Sequence, residues 1–262
     1  MIFKTLKDKC LYYRDLTDYK LMPNSNILVM LDGRSFSKLI KNNFKKPFDD
    51  VFIDMMNRTA KFLCENIQGC KIAYTQSDEI SLYISDGPNS DVFFGGRLCK
   101  LQSLIASMAT GEFNRWFTIW NLNNCKDNVN VGEFISNAKM AQFDCKVWTV
   151  PNKNDLFAWF LYRQNDCIKN SKQQTAQTYI PHKELLGKNA DEQIAMCNDR
   201  CIVDWNMFED KYKYGRFVYL VEKEGEATTP DGEVVKYLRN SFEVSPAFKL
   251  QDDKEKFFEI IK

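Results

Sequence analysis

Between residues 26 and 150 the apolar pattern alternates between strand and helix periods, and the order of those changes constrains the fold more than any other feature. "NILVMLD" (26–32) is a continuous apolar run halted by Asp32-Gly33, the pattern of a strand buried on both faces. Residues 46–69 then place Phe48, Phe52, Met55, Met56, Thr59 and Leu63 on one face at helical spacing. Pro47 ahead of that run, Asp49 and Asp50 at its positive end and Gly69 behind it mark out a helix. "CKIAYTQ" (70–76) reads as a second strand, and Ile80, Leu82 and Ile84 alternate with Glu79, Ser81 and Tyr83 in a third. Leu101, Leu104, Ile105 and Met108 share one face of a helix over 96–117, with Gly111 as its weak point. The Asn-rich stretch 121–130 reads as a loop, and "FDCKVWTV" (143–150) is a fourth strand ended by Pro151.

Strand, helix, strand, strand, helix, strand is the split βαβ order, so the expected class is α+β with a ferredoxin-like (βαββαβ) core. Residues 1–150 are expected to form that domain. Residues 151–262 form a helical and hairpin region packed on it: a long helix over 152–180, another over 189–201, a hairpin over 214–239 with a Pro-Asp-Gly turn, and a short charged helix near the end.

A chain of 262 residues can bury one core with a smaller appendage. Its 36 Lys and Arg against 35 Asp and Glu neither demand nor exclude a polyanionic partner, because basic patches can hide in a neutral total. The longest apolar runs fall short of the roughly 20 residues that span a bilayer. The N-terminus lacks an apolar signal core, so no membrane partner is expected and the location is cytoplasmic, with an organelle as the alternative. Nine scattered cysteines contain no CxxC pair; Cys197 and Cys201 form a CxxxC without a second pair, and buried thiols fit better than zinc. The single histidine, His182 in "IPHKEL", reads as a helix entrance and leaves no second imidazole for a His-rich metal site.

In the split βαβ arrangement the third strand lies between the first and second, antiparallel to both. The end of the first strand, Asp32, then meets the turn that carries Ser77, Asp78 and Glu79. Neighbouring strands lie ~4.8 Å apart, so carboxylates placed there can share divalent cations. Taken singly, Asp-Gly and Ser-Asp-Glu are ordinary turn sequences. Together, after buried strands, they put repelling charges where a cation is needed to neutralise them. Gly33 lets its carbonyl approach an ion. Paired Mg²⁺ ions held this way serve in-line phosphoryl transfer. Lys45 and Lys46 ahead of the first helix, and Arg97 and Lys100 at the start of the second, are candidates to hold a triphosphate at that edge, with Ser77 and Ser103 as hydroxyl donors.

"LDGRSFSKLIKNNFKKPFDD" followed by "IAYTQSDEISL" resembles the signature of the tRNA(His) guanylyltransferase superfamily, whose members are 3′-to-5′ nucleotide polymerases with a palm fold. "FDCKVWTVPNKNDLFAWFLYRQNDC" is similar to a further region of that family, so the likeness spans roughly residues 27–220. The resemblance implies two Mg²⁺ ions bound by Asp32, Asp78 and the Gly33 carbonyl. It implies nucleotide contacts from Asp32, Gly33, Arg34, Ser35, Phe36, Ser37, Ser77 and Asp78, and triphosphate contacts from Lys46, Arg97 and Lys100. Glu79 is either a third catalytic carboxylate or a turn residue on the opposite face. The implied substrates are ATP, GTP and other NTPs and the 5′ end of a tRNA, and the implied assembly is a homo-oligomer of up to four chains. ATP or GTP first activates the 5′-monophosphate by nucleotidylation, and the 3′-hydroxyl of an incoming NTP then attacks it.

Two departures direct the reading within the family. "IKNSKQQ" (168–174) stands where guanylyltransferases proper carry His-Ile-Asn-Asn-Leu-Tyr-Asn, with only Asn170 kept, and Met30 replaces an arginine. The chain therefore looks like the Thg-like branch, which adds nucleotides opposite a template base and repairs 5′-truncated tRNAs. The alternatives are G addition to tRNA(His), a nucleotide cyclase, which "TQSDEIS" opposes for want of glycines, and a non-catalytic RNA-binding module. That last would need more exposed aromatics on its central strands than Tyr83.

Overall fold

A computed structural model describes residues 3–85, 92–124, 140–228, 231 and 234–262. Its centre is a six-stranded sheet: β1 (Asn26–Gly33), β2 (Cys70–Gln76), β3 (Glu79–Ile84), β4 (Phe143–Val150), β5 (Arg216–Thr228) and β6 (Val234–Pro246), in spatial order β4-β1-β3-β2-β5-β6. Every neighbouring pair is antiparallel. β3 thus lies between β1 and β2. The chain reaches that order because two helices carry it back across the sheet between strands that cannot be joined by a hairpin.

The helices are α1 (Leu6–Asp15), α2 (Phe36–Asn43), α3 (Asp50–Asn66), α4 (Leu98–Asn124), α5 (Lys153–Tyr179), α6 (Ala190–Cys201) and α7 (Lys254–Ile260), with single helical turns at His182–Leu185 and Asp210–Lys213. Asp49 caps α3, its carboxylate accepting from the Val51 and Phe52 amides. Asn152 caps α5 by accepting from the Asp155 amide. Alternation along β1 feeds two cores. Ile27, Val29 and Leu31 pack with α3 and α4 on one face, while Leu28 joins Tyr74, Tyr83, Leu156, Phe160 and Phe257 under α5 and α7 on the other. That explains the unbroken apolar run in β1.

Several elements differ from the periodicity reading. α1 has no buried residue, so no apolar stripe announces it; a capping box between Thr5 and Asp8 starts it. α2 is eight residues long with only Phe36 buried, too short for a period to register. α4 does not end at 117. It runs through Gly111 and on to Asn124, with the Asn121 and Asn124 side chains donating to the carbonyls of Phe117 and Trp120. The β5–β6 hairpin exceeds residues 214–239, reaching Pro246. β5 also pairs with β2, so one sheet continues across residue 150. The turns at Asp86-Gly87 and Pro230-Asp231-Gly232 lie wholly or partly outside the described residues.

Candidate active site

One edge of the sheet collects the acidic residues. Asp32 is the Cα partner of Glu79 on β3 and of Asp144 on β4. The Gly33 amide donates to the Asp78 carbonyl at 3.1 Å, tying the end of β1 to the β2–β3 turn. That turn is two residues long, with Ser77 in the left-handed region at φ 47° and its hydroxyl 2.9 Å from the Asp78 carboxylate. A non-glycine residue there is uncommon, and such strain concentrates at functional sites. A Cβ built on Gly33 would lie 2.4 Å from Cδ2 of Phe36, so the close approach of that ring requires glycine.

The three carboxylates of the first reading have different environments. Burial pushes the Asp32 carboxyl above its ordinary value, and Asp144 adds to this, while Lys146, the Gly33 amide and Arg163 oppose it. Burial likewise pushes Asp78 up, with repulsion from Asp32 in the same direction. Neither forms an ion pair among the described residues. Glu79 does: it accepts from the buried guanidinium of Arg163 on α5 and, at 2.9 Å, from the Gln76 amide. Arg163 also holds Asp166 at 3.2 Å. Glu79 therefore anchors the turn to α5, whereas Asp32 and Asp78 have no ion-pair partner among the described residues.

That donor set fits Mg²⁺. Two carboxylates disfavoured in their charged form by burial gain from a cation, and the Gly33 carbonyl adds a third hard oxygen. Among the described residues no three His, Cys, Asp or Glu side chains cluster for metal binding, so remaining positions fall to backbone, water or phosphate.

The basic residues separate. Lys45, in the linker between α2 and α3, lines a cleft beside Ser77, and Lys46 next to it is exposed. Phe44, Phe48 and Phe52 line that cleft, as do Tyr212, stacked on Phe48 at 4.8 Å, Gln76, Asn170 and the charged Asp49 and Arg216. Arg97, Lys100 and Ser103 are elsewhere, which corrects their placement at the Asp32 edge. β3 leaves that edge at Glu79 and ends at the opposite one, where Ile84 pairs with Ile27 and Cys70. α4 begins there, held by the Leu98 amide to the Tyr19 carbonyl, and returns to the Asp32 edge only where the Thr110 hydroxyl accepts from the Phe143 amide. At 1.5 Å per residue, Lys100 lies about 15 Å along the helix from Thr110. Arg97 instead pairs with Asp18 at 2.9 Å, the Lys100 ammonium sits over the Phe94 ring, and the Ser103 hydroxyl donates to the Lys100 carbonyl.

Of the α2 segment, Arg34, Ser35 and Ser37 are exposed, while Phe36 is buried among Phe52, Phe113 and Phe143 and offers a ligand only its backbone. Ser35, in the left-handed region at φ 59°, makes no side-chain cap, so the first amides of α2 stay open to an anion. Sequence reasoning missed Asp144, Lys146 and Arg163. Alternation along β4, which sets Asp144 and Lys146 on the same face as Asp32, could have found the first two.

Acids without an ion-pair partner among the described residues, in and beside a turn whose Ser77 lines an aromatic cleft, with open helix amides and free lysines in the segment that follows Asp32, are what the handling of a nucleotide's phosphates asks of a protein; the chain is of the nucleotidyltransferase class. A family model described as Thg1, tRNAHis guanylyltransferase, matches residues 10–151, and the chain belongs to that family, whose polymerisation runs 3′ to 5′. It is 26% identical over 211 residues to a probable tRNA(His) guanylyltransferase of Dictyostelium discoideum, covering 76% of this chain and 77% of that one. Two solved structures of bacterial tRNA(His) guanylyltransferase (Thg1)-like protein, in complex with ATP and with GTP, superpose with TM-scores of 0.80 and 0.75 at 26% identity. They cover 98% of this chain and 99% and 98% of theirs.

Proposed function

We propose that the chain is a template-dependent 3′-to-5′ nucleotidyltransferase that extends the 5′ end of truncated tRNAs, using ATP or GTP to activate the 5′-phosphate. In this reading the β4-β1-β3-β2 core with α3 and α4 is a ferredoxin-like palm, and residues 151–262 brace it. Asp32, Asp78 and the Gly33 carbonyl are the ligands of two Mg²⁺ ions. When bound, those ions neutralise charge on the phosphoryl oxygens and favour an ionised attacking hydroxyl. The open amides at Phe36 and Ser37, the Ser77 hydroxyl and Lys45 and Lys46 hold the triphosphate. Phe44, Phe48 and Tyr212 give the base an apolar wall, and Arg163 keeps Glu79 out of the metal site. Arg97 and Lys100 could serve such a site only from another copy of the chain, in keeping with the expected homo-oligomer.

The observation that carries the proposal is the pair of carboxylates without an ion-pair partner among the described residues, Asp32 and Asp78, brought together at one sheet edge where the Gly33 amide donates to the Asp78 carbonyl. Repair is favoured over guanylylation by "IKNSKQQ": Ile168 stands at the histidine position of the guanylyltransferase motif, and of the three positions where the motif has asparagines, all lining the cleft from α5, Asn170 is kept while Ser171 and Gln174 differ. Template pairing then supplies base identity. The test is a competition between 5′-truncated and intact tRNAs with the opposing base varied. Truncated tRNAs of several types should be extended with the matching nucleotide, and intact tRNA(His) less well. Addition of G to intact tRNA(His) alone, whatever lies opposite, would assign the chain to guanylylation.

A further inference from the structure

From Gly33 to Phe48 the chain carries five cations, Arg34, Lys38, Lys41, Lys45 and Lys46, and no carboxylate, in a protein whose charges otherwise balance to +1. α2 divides them. Lys45 lines the cleft next to Ser77. Arg34, Lys38 and Lys41 instead line a second groove between α2 and the end of α4, with Asn42, Phe117 and Met140 and with no acidic residue among the described residues of its lining. Lys38 and Lys41, three residues apart on α2, share one face. Lys38 and Lys41 are exposed and have no carboxylate partner among the described residues, and the Arg34 guanidinium donates to the Gln142 side chain at 3.2 Å.

We infer that this groove binds the sugar-phosphate backbone of the substrate RNA and leads its 5′ end to Asp32. The inference rests on the nucleotidyltransferase reading for the identity of the polyanion. Two substrates must meet at the same carboxylates, and α2 gives each its own side. A compact triphosphate is served in the cleft, beside the Ser77 hydroxyl and Lys45. The groove offers separated, solvated cations, Lys38 and Lys41 on α2 and Arg34 just before it, an array suited to successive phosphodiesters. Arg34, in the groove's lining, adjoins Gly33 of the acidic edge. Ion release, not base contact, dominates such binding, which suits a protein that leaves base identity to the template.

The test is the affinity of the full chain for a 5′-monophosphorylated tRNA lacking its first nucleotide, measured by fluorescence anisotropy across a salt series in magnesium-free buffer. ATP binding is measured in parallel. Lys38→Ala/Lys41→Ala is expected to flatten the plot of log affinity against log salt by about two. It should weaken RNA binding at 0.1 M salt by roughly eightfold per lysine, with ATP affinity unchanged. Lys38→Arg/Lys41→Arg should retain the wild-type slope, which separates charge from any effect on folding. An unchanged slope and RNA affinity in the alanine variant, or a loss of ATP affinity in place of RNA affinity, would overturn the inference. Wild-type protein that binds RNA with the steeper slope yet adds no nucleotide would remove the catalytic reading and leave the groove.

Discussion

Arg163→Met removes the one cation that neutralises Glu79. Arg163 is 5% exposed, and Glu79 sits against it and Gln76 on the strand next to Asp32. Methionine keeps the apolar contact with Trp159 and Tyr162 but leaves a buried carboxylate unpaired beside other acids. Asp166 is more exposed and keeps the Asn170 amide, so it contributes little to the loss. Breaking a buried pair on one side costs roughly 3–5 kcal/mol, and for a chain of this size the melting temperature should fall by about 6–20 °C. Glu79→Gln/Arg163→Met should recover much of that, because no charge is then stranded. Burial already holds the Glu79 carboxyl above its ordinary value with Arg163 present. Without Arg163 it rises further. An acid whose folded-state pKa exceeds its unfolded value penalises the fold above the folded pKa, and the penalty disappears below the unfolded one. The defect should therefore shrink on acidification. The assay is urea unfolding at two pH values on the single variants and the double variant. A loss under about 1 kcal/mol at neutral pH, or a double variant no more stable than Arg163→Met, would refute the reasoning.

Two further variants probe the acidic edge. Asp32→Asn should abolish nucleotide addition yet raise the melting temperature at neutral pH without magnesium, since it removes a carboxylate that burial and Asp144 disfavour. That gain should be present above the folded-state pKa of Asp32 and vanish below the ordinary carboxylate value, where the wild-type group is protonated too; a lower melting temperature at neutral pH, or retained activity, would count against the site. Gly33→Ala should cost about 1–3 kcal/mol by overpacking, because its Cβ would lie 2.4 Å from Cδ2 of Phe36. Gly33→Ala/Phe36→Leu should recover most of that in the same urea assay, and an undiminished stability of the single variant would refute the close approach.

Local chemistry fixes what short stretches of the chain can be. β1 is legible because Ile27, Leu28, Val29 and Leu31 must all be apolar to feed two cores, and α3 because its buried face repeats at helical spacing above an Asp49 cap. Asp32 and Asp78 are legible for a related reason: carboxylates directly after buried strands are costly wherever the chain goes next, and strand order brings them together. α1 and α2 stay hidden because one buries nothing and the other is two turns long. What each charge faces is a tertiary matter. Nothing local distinguishes Glu79 from Asp78; Arg163, 84 residues away, takes the first and leaves the second free. Arg97 and Lys100 look like triphosphate ligands until the direction of α4 is known, because a helix that begins at one edge of a sheet delivers only its other end to the opposite one. Sequence sets the charge each residue carries, and the long-range path of the backbone decides which charges meet.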